Sequence, residues 1–146
     1  MDRFRDPFVW PVRVYYEDTD SGGVVYYANY LKFMERARSE WLRIRGFESE
    51  QLMREHRLLF PVVRVTVEYL RPARLDELLQ VRVRMIRCGR ASLEFGQTIC
   101  HGLPEGALLC RRRVKVACVD AITLRPRPIP LFIATELVRE REPIAR

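Results

Sequence analysis

The 146-residue sequence lacks the motifs of several common enzyme classes. It has no glycine-rich phosphate loop and no GxSxG nucleophile motif. Its two histidines, His56 and His101, stand in neither an HExxH nor a nucleotide-binding context, so each is expected to be structural or exposed. These absences argue against P-loop, serine-hydrolase and zinc-protease chemistry, and any catalysis must rest on carboxylates and backbone groups.

Long apolar runs are also missing. No stretch of about 18 apolar residues could span a membrane, and the first residues do not form the charged, apolar and small-residue series of a secretory signal. With 146 residues and 48% hydrophobic content, the chain is long enough to bury a core of its own. The sequence predicts one soluble domain in the cytoplasm.

Cysteine is sparse, and its spacing fits neither a metal site nor a disulfide framework. Cys88, Cys100, Cys110 and Cys118 are separated by 12, 10 and 8 residues, without a CxxC pair. We expect reduced, buried thiols, no metal and no other cofactor.

Lysine is nearly absent, since Lys32 and Lys115 are the only two among 26 basic residues, which exceed 19 acidic residues to give a formal charge of +7. Arginine suits bidentate contact with phosphate and carboxylate. Nucleotides, acidic acyl carrier proteins and nucleic acids are therefore candidate partners. An arginine-rich genome with a solvated protein surface explains the same excess, because net charge reports on association and not on fold.

What the sequence does contain is one strongly periodic segment. Apolar residues recur every three or four positions over residues 28–45, which predicts a long amphipathic helix that ends at Gly46. The predicted stripe is Tyr30, Met34, Ala37, Trp41 and Ile44, widened by Leu31, Phe33 and Leu42. So broad a stripe needs a large apolar partner surface.

Alternating segments predict the partner of this helix. Strands are expected at residues 12–16, 61–69, 78–87, 91–100 and 108–119, with an irregular lead-in before the first of them. Short turns between the later strands imply antiparallel pairing. A short helix at 51–57 and a weak one at 131–140 complete the prediction of an α+β fold in which one sheet wraps one helix.

The candidate chemistry lies where the first strand meets the long helix. Asp18 and Asp20 supply carboxylates, and Gly22 and Gly23 let a ligand approach the backbone. The helix that starts near Tyr27 offers unpaired N–H groups to a carbonyl or a developing oxyanion. A carboxylate there suits a nucleophile or a general base, although an ordinary turn that enters a helix uses the same residue types.

Glu35, inside the helix, is a second candidate acid. Arg38 follows three residues later and can pair with it on the same helix face. A structural ion pair is therefore favoured over catalysis.

The run VRVYYEDTDSGGVVYYANY (residues 12–30), followed by FMERAR (residues 33–38), resembles the hotdog-fold acyl-CoA thioesterases. Within that family it resembles the 4-hydroxybenzoyl-CoA thioesterase group and, most of all, the branch associated with the Tol-Pal envelope system of Gram-negative bacteria. The segments VTVEY, PARLD, VD and RPR, at residues 65–69, 72–76, 119–120 and 125–127, carry the same resemblance, which covers nearly the whole chain.

The resemblance implies a single hotdog domain over residues 1–146, with a five-stranded antiparallel sheet wrapped around one long central helix. It implies dimers with sheets joined edge to edge, often paired into tetramers, and hydrolysis of acyl-CoA to a free acid and CoA. The second acid of the family's Asp-x-Asp pair is catalytic, which here is Asp20, and the amide at Tyr27 polarises the thioester carbonyl. The Tol-Pal branch usually has His where Tyr27 stands, but an amide does not depend on its side chain.

Other residues receive secondary roles. Gly23 is expected to give the substrate access, and Asp18 is assigned to cap or brace the turn. Arg112, with Arg111 and Arg113, is a candidate contact for CoA phosphates or an acidic carrier protein, although half of such a strand faces solvent in any case. Ser92, just after the turn at Gly89, is proposed to reach the site from a second copy.

Three other functions remain open. A hotdog dehydratase or hydratase usually relies on a helix His, which this helix lacks. A non-catalytic acyl-carrier-binding module would keep the basic residues without needing Asp20, and a nucleic-acid-binding protein would show steep salt dependence. Thiol release from a panel of acyl-CoAs separates these functions, because the absence of thiol release from every acyl-CoA tested would favour the binding module.

Overall fold

The computed structural model describes residues 8–102 and 106–139. The strands are β1 (Phe8–Arg13), β2 (Leu58–Leu59), β3 (Val62–Tyr69), β4 (Leu78–Cys88), β5 (Ser92–His101), β6 (Leu108–Ala117) and β7 (Val119–Asp120). The helices are α1 (Tyr27–Arg43), α2 (Ser49–His56) and α3 (Leu131–Arg139), and a 3₁₀ turn covers Tyr16–Asp18.

Five strands form one antiparallel sheet in the order β1-β4-β5-β6-β3, and β2 pairs with β7 in a separate small sheet. The alternating sequence of β4 explains why one face of this strand contributes to the core. Leu79, Val81, Val83 and Met85 are all buried on that face. The predicted α+β class and the five-stranded antiparallel sheet are confirmed.

The first strand differs from its prediction. It was expected at residues 12–16, but β1 runs from Phe8 to Arg13 and pairs with β4 along its whole length. The prediction excluded Pro11 from the strand, whereas β1 lies at the edge of the sheet, where proline is tolerated because one side of the strand needs no ladder hydrogen bonds. The start of the predicted lead-in, residues 1–7, lies outside the described residues.

Helix α1 packs its apolar stripe on the sheet, where Trp41 meets Phe95 edge-on with ring centroids 5.1 Å apart. Its buried residues are Tyr30, Phe33, Met34, Ala37, Arg38, Trp41 and Leu42. Ile44 was predicted in this stripe but is 68% exposed, because the helix has already reached its C-cap there. Gly46, with φ of +90°, ends the helix as predicted.

The prediction of a single long helix is too simple. Besides the 17 residues of α1, the structure contains α2 with 8 residues and α3 with 9, close to the predicted 51–57 and 131–140. Position 140 of the last prediction lies outside the described residues. Within residues 8–102 and 106–139, no helix combines the length and apolarity that crossing a membrane requires.

Candidate active site

The turn between β1 and α1 is held by Asp18. Its carboxylate accepts the Tyr15 amide at 2.8 Å, and its carbonyl accepts the Tyr26 amide at 3.0 Å and the Asn29 side-chain amide at 2.9 Å. These bonds tie both ends of the loop to one residue. Asp18 therefore braces the turn, as the sequence predicts.

Asp20 lies two residues further on and is exposed. Its Oδ1 accepts the Gly22 amide at 2.8 Å, and its backbone bonds Val24 and Gly23 at 2.9 and 3.1 Å. These contacts fix the direction of the carboxylate. Among the described residues nothing donates to Oδ2, so one oxygen is available to a substrate or a water molecule.

Gly22 and Gly23 of this loop differ in backbone conformation and in the space around them. Gly23 has a φ of +80°, a left-handed conformation that other residues adopt only with strain. A Cβ at Gly23 would meet no atom within 4 Å, whereas a Cβ at Gly22 would come within 3.3 Å of Asp20 Oδ1. The space above Gly23 is thus open to a ligand, as access to Asp20 requires.

Helix α1 begins at Tyr27, directly after this loop. Its N-cap, Tyr26, is extended and supplies no side-chain cap. Among the described residues, no backbone carbonyl accepts the Tyr27 amide. The first N–H of α1 is therefore free to donate to a substrate oxygen at the positive end of the helix dipole.

Tyrosine rings surround the helix start. Tyr27 lies 4.8 Å from Tyr26 and 6.1 Å from Tyr69 of β3, measured between ring centroids, and Tyr69 lies 5.6 Å from Tyr30. Tyr26, Tyr27 and Tyr69 are 47%, 60% and 43% exposed. Sequence reasoning did not identify Tyr69, because only the fold brings the end of β3 to the start of α1.

The buried side chain of Tyr30 connects the start of α1 to Ala73, which lies between β3 and β4. Its hydroxyl accepts the Ala73 amide at 2.9 Å, and the Ala73 carbonyl accepts the Val25 amide at 2.8 Å. Burial raises the pKa of the Tyr30 phenol, the bond from Ala73 opposes this, and the charges of Glu77 and Asp20 raise it further. The pKa of the Tyr30 phenol is therefore raised above its ordinary value, chiefly because the phenol is buried.

Arg112, the predicted contact for CoA phosphates, is buried in the structure. Its side chain is 3% exposed and points to the helix side of the sheet, where Nη2 donates to Glu35 at 2.7 Å and Nε donates to Gln97 at 2.8 Å. The alternation of β6 turns Arg111 and Arg113 outward and Arg112 inward. The location thus disfavours a phosphate contact at Arg112.

Glu35 forms the predicted ion pair with Arg38, at 2.6 Å. Arg112 adds a second guanidinium that the sequence did not suggest, and Gln97 donates to the Met34 carbonyl at 2.7 Å. These contacts join the middle of α1 to β5 and β6. Glu35 is thereby a structural acid.

Ser92 is the first residue of β5 and pairs with Ala117 of β6. Tyr69 of β3 pairs with Cys110 of β6, which pairs with Ile99 of β5, so these three residues form one row across the sheet. Seven residues of strand separate Ser92 from that row, which corresponds to roughly 23 Å at about 3.3 Å per residue. Within one chain, the structure therefore does not bring Ser92 to Asp20.

The two histidines have separate surroundings. His101 Nε2 lies 2.8 Å from the Glu77 carboxylate, and His56 packs its ring against Phe132 with centroids 4.8 Å apart. Both locations agree with the expectation of structural or exposed histidines. The Glu77 partner could not be found from the sequence, because the residues are 24 positions apart.

A cavity of about 250 Å³ lies between α1, α2 and the segment before β3. Its lining includes Arg38, Leu42, Leu52 and Phe60. Arg38 is eleven residues from Tyr27 along α1, or roughly 16 Å at about 1.5 Å per residue. The cavity is thus separate from the region of Asp20.

The chain is similar in sequence to known thioesterases. The model of the thioesterase-like superfamily matches residues 14–137. The chain is 48% identical to the acyl-CoA thioester hydrolase YbgC of Escherichia coli O6:H1 over 129 residues, which cover 88% of this chain and 94% of that protein.

Two solved structures are similar to this fold. A probable thioesterase from Bartonella henselae has a TM-score of 0.78 and 38% identity, covering 84% of this chain and 98% of the other. A 1,4-dihydroxy-2-naphthoyl-CoA thioesterase from Synechocystis has a TM-score of 0.85 and 21% identity, covering 93% and 98%, and this second similarity concerns the fold alone.

Proposed function

The chain belongs to the thioesterase-like superfamily, and on this basis we propose that it hydrolyses acyl-CoA thioesters to a free acid and CoA, with Asp20 as the catalytic carboxylate. The relative from Escherichia coli, named an acyl-CoA thioester hydrolase, is 48% identical across 88% of this chain. The chain is accordingly a thioester hydrolase. The observation that carries the assignment to Asp20 is its oriented, exposed carboxylate in the loop that leads directly into the uncapped start of α1.

The thioester carbonyl accepts a hydrogen bond from the Tyr27 amide, which stabilises the negative charge that develops on its oxygen. Gly23 leaves room for the substrate above the loop. This arrangement requires no metal ion, because the carbonyl is polarised by an amide at the positive end of a helix.

Two routes use the same carboxylate. As a general base, Asp20 takes a proton from water, the hydroxyl adds to the carbonyl carbon, and the C–S bond breaks to release CoA thiolate, which is then protonated. As a nucleophile, Asp20 adds to the carbonyl carbon, expels the thiolate and forms a mixed anhydride that water opens. Both routes yield one acid and one thiol for each water consumed.

Replacement of Asp20 by asparagine tests the proposal. Asp20→Asn keeps the shape of the side chain and removes its basicity, so kcat for acyl-CoA hydrolysis should fall on the order of 10²-fold or more. Thiol release should be followed with acyl-CoAs of several chain lengths and one aromatic acyl-CoA. Circular dichroism establishes that the variant is folded.

The matched control is Glu17→Gln, which makes the same chemical change on an exposed residue of the same loop. Its turnover should stay close to that of the unchanged protein. Near-normal turnover in a folded Asp20→Asn variant would remove Asp20 from the mechanism.

A second copy completes the site in this proposal. Strand β3 is an edge strand of the sheet, and all of its residues except Val67 are exposed. Joining two β3 edges gives a homodimer, in which Ser92 of one copy approaches Asp20 of the other. Dimers of this kind can pair further into tetramers.

The remaining parts of the proposal are a single hotdog domain over residues 1–146, in which the sheet wraps around α1, and a location in the cytoplasm. Contacts of α1 with β1, β4 and β5 support the first part. Acyl carrier protein is a candidate donor of acyl groups besides CoA, because the net charge of +7 favours acidic partners.

A further inference from the structure

The strand register arranges the outer face of the sheet into three rows, where outer means the face away from α1. One row crosses Arg82, Thr98, Arg111 and Glu68 on β4, β5, β6 and β3. The next two rows are Arg84, Gly96, Arg113 and Thr66, and then Arg87, Glu94, Lys115 and Arg64. We call these twelve positions the outer grid.

The outer grid concentrates positive charge. Seven of its positions are basic and two are acidic, which gives a net charge of +5 against +7 for the whole chain. The basic residues are Arg64, Arg82, Arg84, Arg87, Arg111, Arg113 and Lys115. The grid holds 6 of the 24 arginines of the chain, and its few acidic residues leave it with a strongly positive net charge.

The two acids of the outer grid, already subtracted in the net charge of +5, each pair with one arginine of the grid. Glu68 pairs with Arg111 at 2.6 Å, and Glu94 lies 3.5 Å from Arg64. The Glu68–Arg111 pair is exposed and of small energetic value, and in the other pair Arg64 is exposed while Glu94 is half-buried. Both arginines keep donors for another anion, and the other basic positions of the grid add to the field.

The described helices leave the outer grid uncovered. The inner residues of β4, β5 and β6 are buried against the core, while Arg84, Arg87, Arg111 and Arg113 are exposed. Neighbouring strands are about 4.8 Å apart and alternate residues about 6.8 Å apart. The cations thus spread over a surface of roughly 15 by 15 Å and not along a line.

We propose that the outer grid is a docking surface for an anionic lipid bilayer, with lipid phosphates as its ligands. Arginine binds phosphate oxygens in bidentate fashion. Clusters of basic residues bind anionic membranes because each adds to the attraction near the surface. The proposal is independent of the proposed catalytic function, since it involves neither Asp20 nor α1.

Other occupants fit these observations less well. A second copy would bring two like-charged faces together, which is unfavourable. Protein interfaces depend on aromatic and apolar anchors, but the exposed apolar residues Val9 and Leu78 lie outside the grid, on β1 and at the start of β4. Within the area of the grid, Ile86 is half-buried over Gly96, where a Cβ would come within 3.1 Å of its Cδ1. Single-stranded nucleic acid needs aromatic stacking platforms, and the grid holds no aromatic residue.

Vesicle binding tests this inference. The full chain should cosediment with vesicles of equal parts phosphatidylglycerol and phosphatidylcholine, and not with phosphatidylcholine alone. Binding should be strong at about 0.01 M salt and lost at about 1 M, because the screening length falls from about 30 to about 3 Å. The double variant Arg113→Ala, Lys115→Ala should bind about 25-fold more weakly, at about fivefold for each charge removed.

The matched control is Lys32→Ala, Arg36→Ala, which removes one lysine and one arginine from exposed positions of α1. It should bind vesicles nearly as well as the unchanged chain. Equal losses in both double variants, or no binding at low salt, would overturn the proposal.

Two further measurements keep the alternatives separate. A DNA duplex that displaces the protein from vesicles at a lower phosphate concentration than added phosphatidylglycerol would identify nucleic acid as the ligand and reject the lipid. A change of oligomeric state in Arg113→Ala, Lys115→Ala by analytical ultracentrifugation would assign the grid to an interface between copies.

Discussion

Glu35 shows how a single carboxylate can join a helix to a sheet. Burial raises its pKa, but hydrogen bonds and charges from Arg38 and Arg112 outweigh this and lower the pKa below its ordinary value. Arg112 is almost completely buried, so it depends on Glu35 and Gln97 for its partners. Removing the Glu35 charge would leave a guanidinium buried and uncompensated.

We expect Glu35→Gln to lower the free energy of unfolding by roughly 3 kcal/mol at about pH 7, the low end for a broken buried pair because the Glu35 side chain is 38% exposed. A carboxyl with a lowered folded-state pKa stabilises the fold above its unfolded-state pKa, and this contribution is lost as pH falls through the folded-state pKa. The difference between variant and unchanged protein should therefore shrink towards about pH 3. Urea titrations across this range measure it, and a constant difference would contradict the account.

The start of α1 is fixed by the connection between β3 and β4. Ala73 donates to the Tyr30 hydroxyl and accepts from Val25, and Val24 forms an isolated bridge with Arg74. The end of the Asp20 loop that enters α1 is thereby tied to this connection, and Val14 at the other end bonds Glu77 and Asp76 of the same connection. Together with the bonds from the Tyr26 amide and the Asn29 side chain to Asp18, these contacts hold the start of α1, where Tyr26 supplies no side-chain cap.

Tyr30→Phe should destabilise the protein by about 1–3 kcal/mol, because it leaves the Ala73 amide unpaired in a buried position. Tyr69→Phe is the matched control, since Tyr69 is 43% exposed and its ring contacts do not need the hydroxyl. The control should change stability by less than about 0.5 kcal/mol. Denaturant unfolding measures the free energy of unfolding of both variants. Equal losses of stability in Tyr30→Phe and Tyr69→Phe would show that the Tyr30–Ala73 hydrogen bond does not stabilise the fold.

At the scale of the whole molecule, β3 is the exposed edge of the sheet. Val65 and Tyr69 are 41% and 43% exposed on the helix side of this strand, and Val67 is half-buried beside them. Exposed edges with apolar residues invite pairing with another strand. The proposed dimer would remove this edge from solvent.

Val65→Asp should convert the proposed dimer to monomer, since two like charges would meet across the joined edges at a cost of several kcal/mol. The dimer dissociation constant, measured by analytical ultracentrifugation, should rise on the order of 100-fold or more. Ile44→Asp makes the same kind of change at a residue that is 68% exposed beyond α1, and it should leave the dimer intact. A dimer that survives Val65→Asp would require a different interface.

Elements defined by near neighbours in the chain were predictable. The period of α1 and the alternation of β4, β5 and β6 gave their bounds to within two or three residues, because each pattern repeats over a few positions. The turn with Asp18 and Asp20 was found for the same reason. Edge strand β1 was misplaced, because its tolerance of Pro11 follows from its position in the sheet.

The sequence by itself determined the α+β class, the long helix and the acidic loop that precedes it, since these depend on local period and on residues only a few positions apart. Only the tertiary structure decided which way Arg112 points, that Tyr69 meets Tyr27, and that seven basic residues share one face. These relations join residues far apart in the chain. Strand register sets them, and register depends on the packing of the whole sheet against its helix.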